Sequence, residues 1–123
     1  RMKVYLAGGM RSGWQKYVKE AVSGVQFIDP RLHFLDEPDE YTTWDLMAIR
    51  RCDLVFAYLE RTNPSGMGLA LEIGYAKALG KPVILVNEKT GYIDMLKAMA
   101  DVTYTDLNQG AQFLQSLNRM EGE

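Results

Sequence analysis

The sequence predicts an α/β fold, a three-layer sandwich built on a five-stranded parallel sheet. Three observations predict it. Short β-rich runs alternate with helical patterns along the chain. Two of the runs, "LVFAYL" (Leu54 to Leu59) and "VILV" (Val83 to Val86), are apolar at every position, as strands covered on both faces must be. Two glycine-rich connections, "GGMRSG" and "ERTNPSGMG", each follow a strand and precede a helix.

The elements follow in order. "KVYLA" (Lys3 to Ala7) is the first strand and runs into Gly8-Gly9. Trp14, Tyr17, Val18, Ala21 and Val22 repeat at i, i+3, i+4, i+7 and i+8, so they predict an amphipathic helix, with Ser12 as its N-cap and Gly24 as its stop. "VQFID" (Val25 to Asp29) is the second strand, closed by Pro30. Residues 30 to 41 carry two prolines and several acids and predict a long, functional loop. Thr42 and Asp45 have the spacing of a capping box, which predicts a short helix from there to Arg51. Leu54 to Leu59 is the third strand. The helix after "SGMG" ends at Gly80, with Pro82 beyond it, and Val83 to Val86 is the fourth strand. A short helix (Asp94 to Ala100), a weak strand (Val102 to Tyr104) and a last helix (Asp106 to Arg119) complete the chain. Leu107, Ala111, Leu114 and Leu117 mark the buried face of that last helix.

Five strands joined in this way imply the flavodoxin-like, Rossmann-like order 2-1-3-4-5. In such sheets ligands sit beyond the carboxyl ends of the strands at the switch point, here between the first and third strands. Bulk composition narrows the function. A chain of 123 residues, 47% apolar and 24% charged, fits a single domain over residues 1–123. A net charge of −2 gives no surface for a nucleic-acid polymer or an anionic membrane. No apolar run approaches the roughly 20 residues that span a bilayer. Lys3 leads directly into a strand, so no signal-peptide pattern is expected at this end. One cysteine (Cys52) suits a reducing cytoplasm, and with one histidine (His33) it leaves no Cys/His metal site to expect. Neither residue is assigned a role.

Glu72 is the residue that does not fit its surroundings. It lies about a turn inside its helix, among Leu69, Ala70, Leu71, Ile73 and Gly74. Two readings are open: a half-exposed carboxylate favoured by the positive helix end, or a functional acid. Its company at the same sheet edge favours the second. Tyr5 is either a core aromatic or a hydroxyl that holds and aims that carboxylate. Asp45 closes a capping box and also starts near the same edge. Gly8, Gly9 and Gly13 with Ser12 either form a plain turn or present N–H groups to an anion, with Arg11 as a charged donor. Asn63 and Ser65 offer polar groups from the second loop, or ordinary turn chemistry.

"KVYLAGGMRSG", "WDLMAIRRCDLVFAYL" and "GMGLALEIGYAKALGKPVILV" together resemble the nucleoside 2-deoxyribosyltransferase family, over roughly two-thirds of the chain. The resemblance implies a flavodoxin-like fold, no cofactor, and cleavage of the N-glycosidic bond of nucleosides or nucleotides. It implies Glu72 as nucleophile, Tyr5 as the residue that orients it, and Asp45 near the nucleobase and the leaving-group proton. The transferases carry an Asp six residues before that Glu, where this chain has Gly66. A branch that hydrolyses 2′-deoxynucleoside 5′-monophosphates has an Arg matching Arg11 and a Pro-Ser matching Pro64-Ser65, in loops that hold the phosphate. The binding residues so implied are Gly8, Gly9, Arg11, Ser65, Gly66 and Gly68. A homodimer or higher homo-oligomer with shared sites is implied too.

Other readings fit less well. A phosphoribohydrolase of the AMP type would need a "GGxGTxxE" turn, which "SGMGLALE" matches only loosely. A non-catalytic nucleotide-binding module explains the glycine loops but neither Glu72 nor Tyr5. A receiver domain needs acids at strand ends that here read Ala7-Gly8 and Leu59-Glu60.

Overall fold

A computed structural model describes residues 1–121 of the chain. In order, the elements are β1 (Lys3–Gly8), α1 (Trp14–Ala21), β2 (Gln26–Ile28), a 3-10 turn (Pro30–Leu32), α2 (Pro38–Arg51), β3 (Leu54–Leu59), α3 (Met67–Ala78), β4 (Val83–Asn87), α4 (Asp94–Met99), β5 (Val102–Tyr104) and α5 (Leu107–Glu121). The strands form one sheet in the order β2-β1-β3-β4-β5, every neighbouring pair parallel. This is the order the sequence implied.

Strand alternation divides the core into two layers. Val4, Leu6, Leu54, Phe56, Ile84 and Val86 face α1 and α5, where they meet Trp14, Val18, Ala111 and Leu114. Tyr5, Ala7, Val55, Ala57, Leu59, Val83 and Leu85 face α2, α3 and α4, where they meet Ile49, Leu69, Ile73 and Leu96. The strands therefore bury both faces, which is why β3 and β4 read as unbroken apolar runs. No helix among the described residues is long and apolar enough to cross a membrane.

Two helix starts differ from expectation. α2 begins at Pro38, a turn earlier than Thr42. Proline needs no N–H partner at the first helical position, and Asp39 and Glu40 in the first turn complement the helix dipole. Thr42 is consequently mid-helix, and no capping box joins it to Asp45. The cap of α1 is Gly13 in the left-handed region, not Ser12. The same helix buries Trp14, Gln15 and Val18, while Tyr17 is 43% exposed. Gln15 turns inward because its side-chain amide, like the Trp14 indole, donates to the Gly9 carbonyl (2.9 and 2.8 Å).

Asp29, just beyond β2, is 2% exposed and anchors the sheet edge. It accepts from Lys19 Nζ and Arg31 Nη2, both at 2.7 Å, and caps the following turn through Arg31 N–H at 3.0 Å. Burial alone would raise its pKa, but the bonds from Arg31 and Lys19 outweigh this and lower it to about 2. The resulting stabilisation, about 2 kcal/mol, is present above pH ~4 and lost as pH falls toward about 2. Asp29→Asn should therefore lower unfolding free energy by about 2 kcal/mol at pH 7, with the gap closing near pH 2; denaturant titrations across that range check it.

Candidate active site

The loops leaving β1 and β3 open onto the carboxyl edge of the sheet. Gly8, the last residue of β1, has φ +153°, and a Cβ there would lie 2.6 Å from the Tyr58 carbonyl oxygen and 2.9 Å from the Trp14 ring. Only glycine lets the chain pass between β3 and α1 at this point.

On the α2–α3 side of that edge lies a cavity of ≈ 840 Å³, lined by Tyr5, Gly8, His33, Asp45, Gly68 and Glu72, with Met10, Tyr41 and Leu46 among its walls. Tyr5 is fully buried and points from β1 toward α3. Its hydroxyl donates to Glu72 Oε2 at 2.6 Å, a short charge-assisted bond across 67 residues of sequence. Glu72, in the second turn of α3, is half-buried. Burial raises its pKa to about 7; the Tyr5 hydrogen bond pulls the other way, and the charge of Asp45 adds to the rise. Desolvation, then the neighbouring Glu72, push the Tyr5 phenol far above its ordinary value, so it remains a donor.

Asp45 reaches the same cavity from the second turn of α2. Burial raises its pKa; His33 and the Tyr5 hydroxyl act against that rise. One of its oxygens, Oδ1, is buried and has no hydrogen-bond partner among the described residues. Two carboxyl groups thus converge on one phenol, each displaced upward, so protonation of one favours ionisation of the other. His33, which no pattern in the sequence marks, stands 3.4 Å from Asp45 Oδ1 through its Nε2.

The remaining expected residues are divided. Gly9 and Arg11 line a second cavity of ≈ 770 Å³ with Ser12, Glu60, Thr62, Asn63 and Pro64, and Met10 borders both cavities. Arg11 is exposed there. Glu60 brings the opposite charge to the same space. Ser65 and Gly66 line neither cavity. The Ser65 carbonyl accepts from the Tyr92 hydroxyl at 2.9 Å, and Lys89 Nζ donates to the Asn63 carbonyl at 2.6 Å, so the β4–α4 loop straps this turn. Gly66 caps α3 at φ +72°, its N–H bonded to Asn63 Oδ1 at 3.0 Å, and a Cβ would approach Leu59 Cδ1 to 3.0 Å. Gly66→Asp should cost about 1–3 kcal/mol of stability in a thermal or denaturant unfolding measurement, from the left-handed backbone and that contact. Gly68 lines the first cavity, and a Cβ there would meet nothing within 4 Å.

The sequence profile described as "Nucleoside 2-deoxyribosyltransferase like" matches residues 1–90. The chain belongs to this family. Among solved structures, the 2-deoxyribosyltransferase of Bacillus psychrosaccharolyticus is 27% identical with a TM-score of 0.68, covering 87% of this chain and 88% of its own. The CMP N-glycosidase BcmB of Clostridium botulinum is 28% identical with a TM-score of 0.65, covering 93% of this chain and 98% of its own. A Leishmania mexicana 2-deoxyribosyltransferase, 24% identical with a TM-score of 0.62 over 73% of this chain and 67% of its own, supports the fold. A search of curated protein sequences finds no match. The profile matched to the family ends between β4 and α4, so it includes all the residues that line the first cavity.

Proposed function

We propose that this member of the nucleoside 2-deoxyribosyltransferase-like family cleaves the N-glycosidic bond of 2′-deoxynucleosides or their 5′-monophosphates. Glu72 is the nucleophile, and the deoxyribosyl group passes to another base or to water. The observation that carries the proposal is the 2.6 Å bond from Tyr5 to Glu72 in a cavity shared with Asp45.

The chemistry follows from that arrangement. Breaking C1′–N develops positive charge on the sugar, and an ionised carboxylate beneath C1′ stabilises it and captures it covalently. The Tyr5 hydrogen bond fixes the Glu72 rotamer and favours its ionised form. Asp45, displaced toward the neutral acid, protonates the departing base nitrogen. Developing charge at C1′ attracts the anion to Glu72 and leaves the proton on Asp45, so the reaction itself separates the two roles. Re-attack by a base makes a transferase, and attack by water a hydrolase.

The second cavity extends the reading toward monophosphates. Arg11 supplies a charge-assisted donor for a phosphate there, and Gly8, Gly9 and Gly68 leave backbone close to the sugar. Ser65 and Gly66 act by shaping the turn. We also infer a cytoplasmic homo-oligomer. α3 is apolar nearly all round, and Met67 and Leu71 are 71% and 74% exposed, Leu71 in the wall of the first cavity, a surface suited to a second copy.

The test is release of free base from deoxynucleosides and deoxynucleoside monophosphates, with and without an acceptor base. The proposal expects release; a protein that binds nucleotide and releases no base contradicts it. Base release should fall as pH rises through about 7, where the carboxyl pair gives up the proton that Asp45 must donate. Tyr5→Phe removes the bond that favours the anion, so that loss should move to higher pH and kcat should fall roughly 10–100-fold. A pH–rate profile unmoved by that substitution would separate Tyr5 from the nucleophile.

A further inference from the structure

We propose that His33 is a positioning residue for Asp45, its Nε2–H directed at the carboxyl group so that it orients that group and stabilises the carboxylate left after proton donation. The inference rests on the glycosidase reading for its chemical consequence, and on geometry alone for the contact.

Three observations carry it. His33 Nδ1 accepts the Leu35 backbone N–H at 2.9 Å, so in the neutral ring the proton is on Nε2. Nε2 lies 3.4 Å from Asp45 Oδ1, and that oxygen is buried with no hydrogen-bond partner among the described residues. In a resting site such contacts are commonly long and tighten when substrate binds. The ring is also packed in place: its side chain is 8% exposed and meets Trp44 edge-on at 5.0 Å.

The backbone supports the same assignment. Phe34, the next residue, has φ +54° and is 83% exposed. A bulky aromatic in the left-handed region is strained, and Phe34 gains no burial here. The strained turn does keep His33 Nδ1 against Leu35 N–H and Nε2 toward the cavity.

In the reaction, Asp45 gives its proton to the base nitrogen as C1′–N breaks and the bonding pair remains with the base. Glu72 Oε bonds to C1′. Asp45 becomes a carboxylate and receives the His33 Nε2–H as a hydrogen bond, while His33 keeps its proton. The charged or titratable groups sharing the cavity with His33 are Tyr5 from β1, Tyr41 and Asp45 from α2, and Glu72 and Tyr75 from α3.

Two variants test this. His33→Phe keeps the shape and loses the donor; His33→Gln keeps a donor at the Nε2 position. The first readout needs no turnover: the Asp45 side-chain carboxyl, followed by carbon NMR and assigned with Asp45→Asn. Its titration midpoint should rise by about one pH unit in His33→Phe and by less than half as much in His33→Gln. An unmoved midpoint in His33→Phe overturns the contact. The second readout is leaving-group dependence. His33→Phe should lower kcat for base release roughly 10–100-fold with little change in KM, and should hardly affect a 4-nitrophenyl deoxyriboside, whose leaving group departs without a proton. Equal losses on both substrates, or a His33→Gln variant as impaired as His33→Phe, overturn the proposed role. A wild-type protein that releases no base overturns the glycosidase reading instead, and the Asp45 titration still decides the contact.

Discussion

Replacing Glu72 with glutamine should abolish base release, by a factor on the order of 10⁴ or more, while making the folded protein more stable above neutral pH. The two effects have one cause. Glu72 sits where burial favours its protonated form, so its pKa is raised from 4.5 to about 7 in the folded chain. A raised folded pKa means stability that is complete below about pH 4.5 and lost as pH climbs through about 7. That loss is about 3 kcal/mol. Glutamine cannot ionise, and its amide oxygen can still accept from Tyr5. The variant should therefore match the wild type at pH 4.5 and exceed it at pH 8, by roughly 4 °C in Tm per kcal/mol. Thermal unfolding at the two pH values, with base release measured on the same samples, checks both halves. Lost activity without a pH-dependent stability gain would mean that Glu72 is not held at an energetic cost.

Removing the Arg11 guanidinium should have the second-largest effect, confined to phosphorylated substrates. Arg11→Ala should raise KM for a deoxynucleoside monophosphate roughly 10–100-fold, the range expected for one charge-assisted contact, and leave the free nucleoside nearly unchanged. Glu60 in the same cavity makes the effect larger, because without Arg11 the local field is set by a carboxylate. Added salt should weaken monophosphate binding by the wild type more than by the variant. Equal losses on nucleoside and monophosphate would place Arg11 in the fold of the loop and remove the phosphate from the second cavity.

Much of this was legible in the sequence because it depends on local patterns. The unbroken apolar runs of β3 and β4 announce strands covered on both faces, and alternation with helices forces a parallel sheet. Glu72 was conspicuous because a carboxylate stood alone in an apolar turn, and Tyr5 because a strand residue with a hydroxyl stood near the same edge. The capping-box reading of Thr42 and Asp45 failed for a physical reason: i, i+3 spacing also describes two residues on one face of a continuing helix. Pro38 reads as loop punctuation in the sequence and is the helix start. His33 was illegible because its partner lies across a loop whose path depends on the Phe34 turn, and no periodicity encodes that path. Ser65 and Gly66 were placed by motif, and their backbone bonds to Tyr92 and Asn63 fix a turn beside the cavities.

The proposed reaction depends on a covalent bond between Glu72 and the sugar. Mixing the protein with a deoxynucleoside or deoxynucleoside monophosphate, quenching in acid within the first turnover and mapping the peptides by mass spectrometry tests it most directly. One deoxyribosyl or phosphodeoxyribosyl group is expected on the peptide that carries Glu72, absent from Glu72→Gln. Base release at full rate with the group on another residue, or retained by Glu72→Gln, would contradict it.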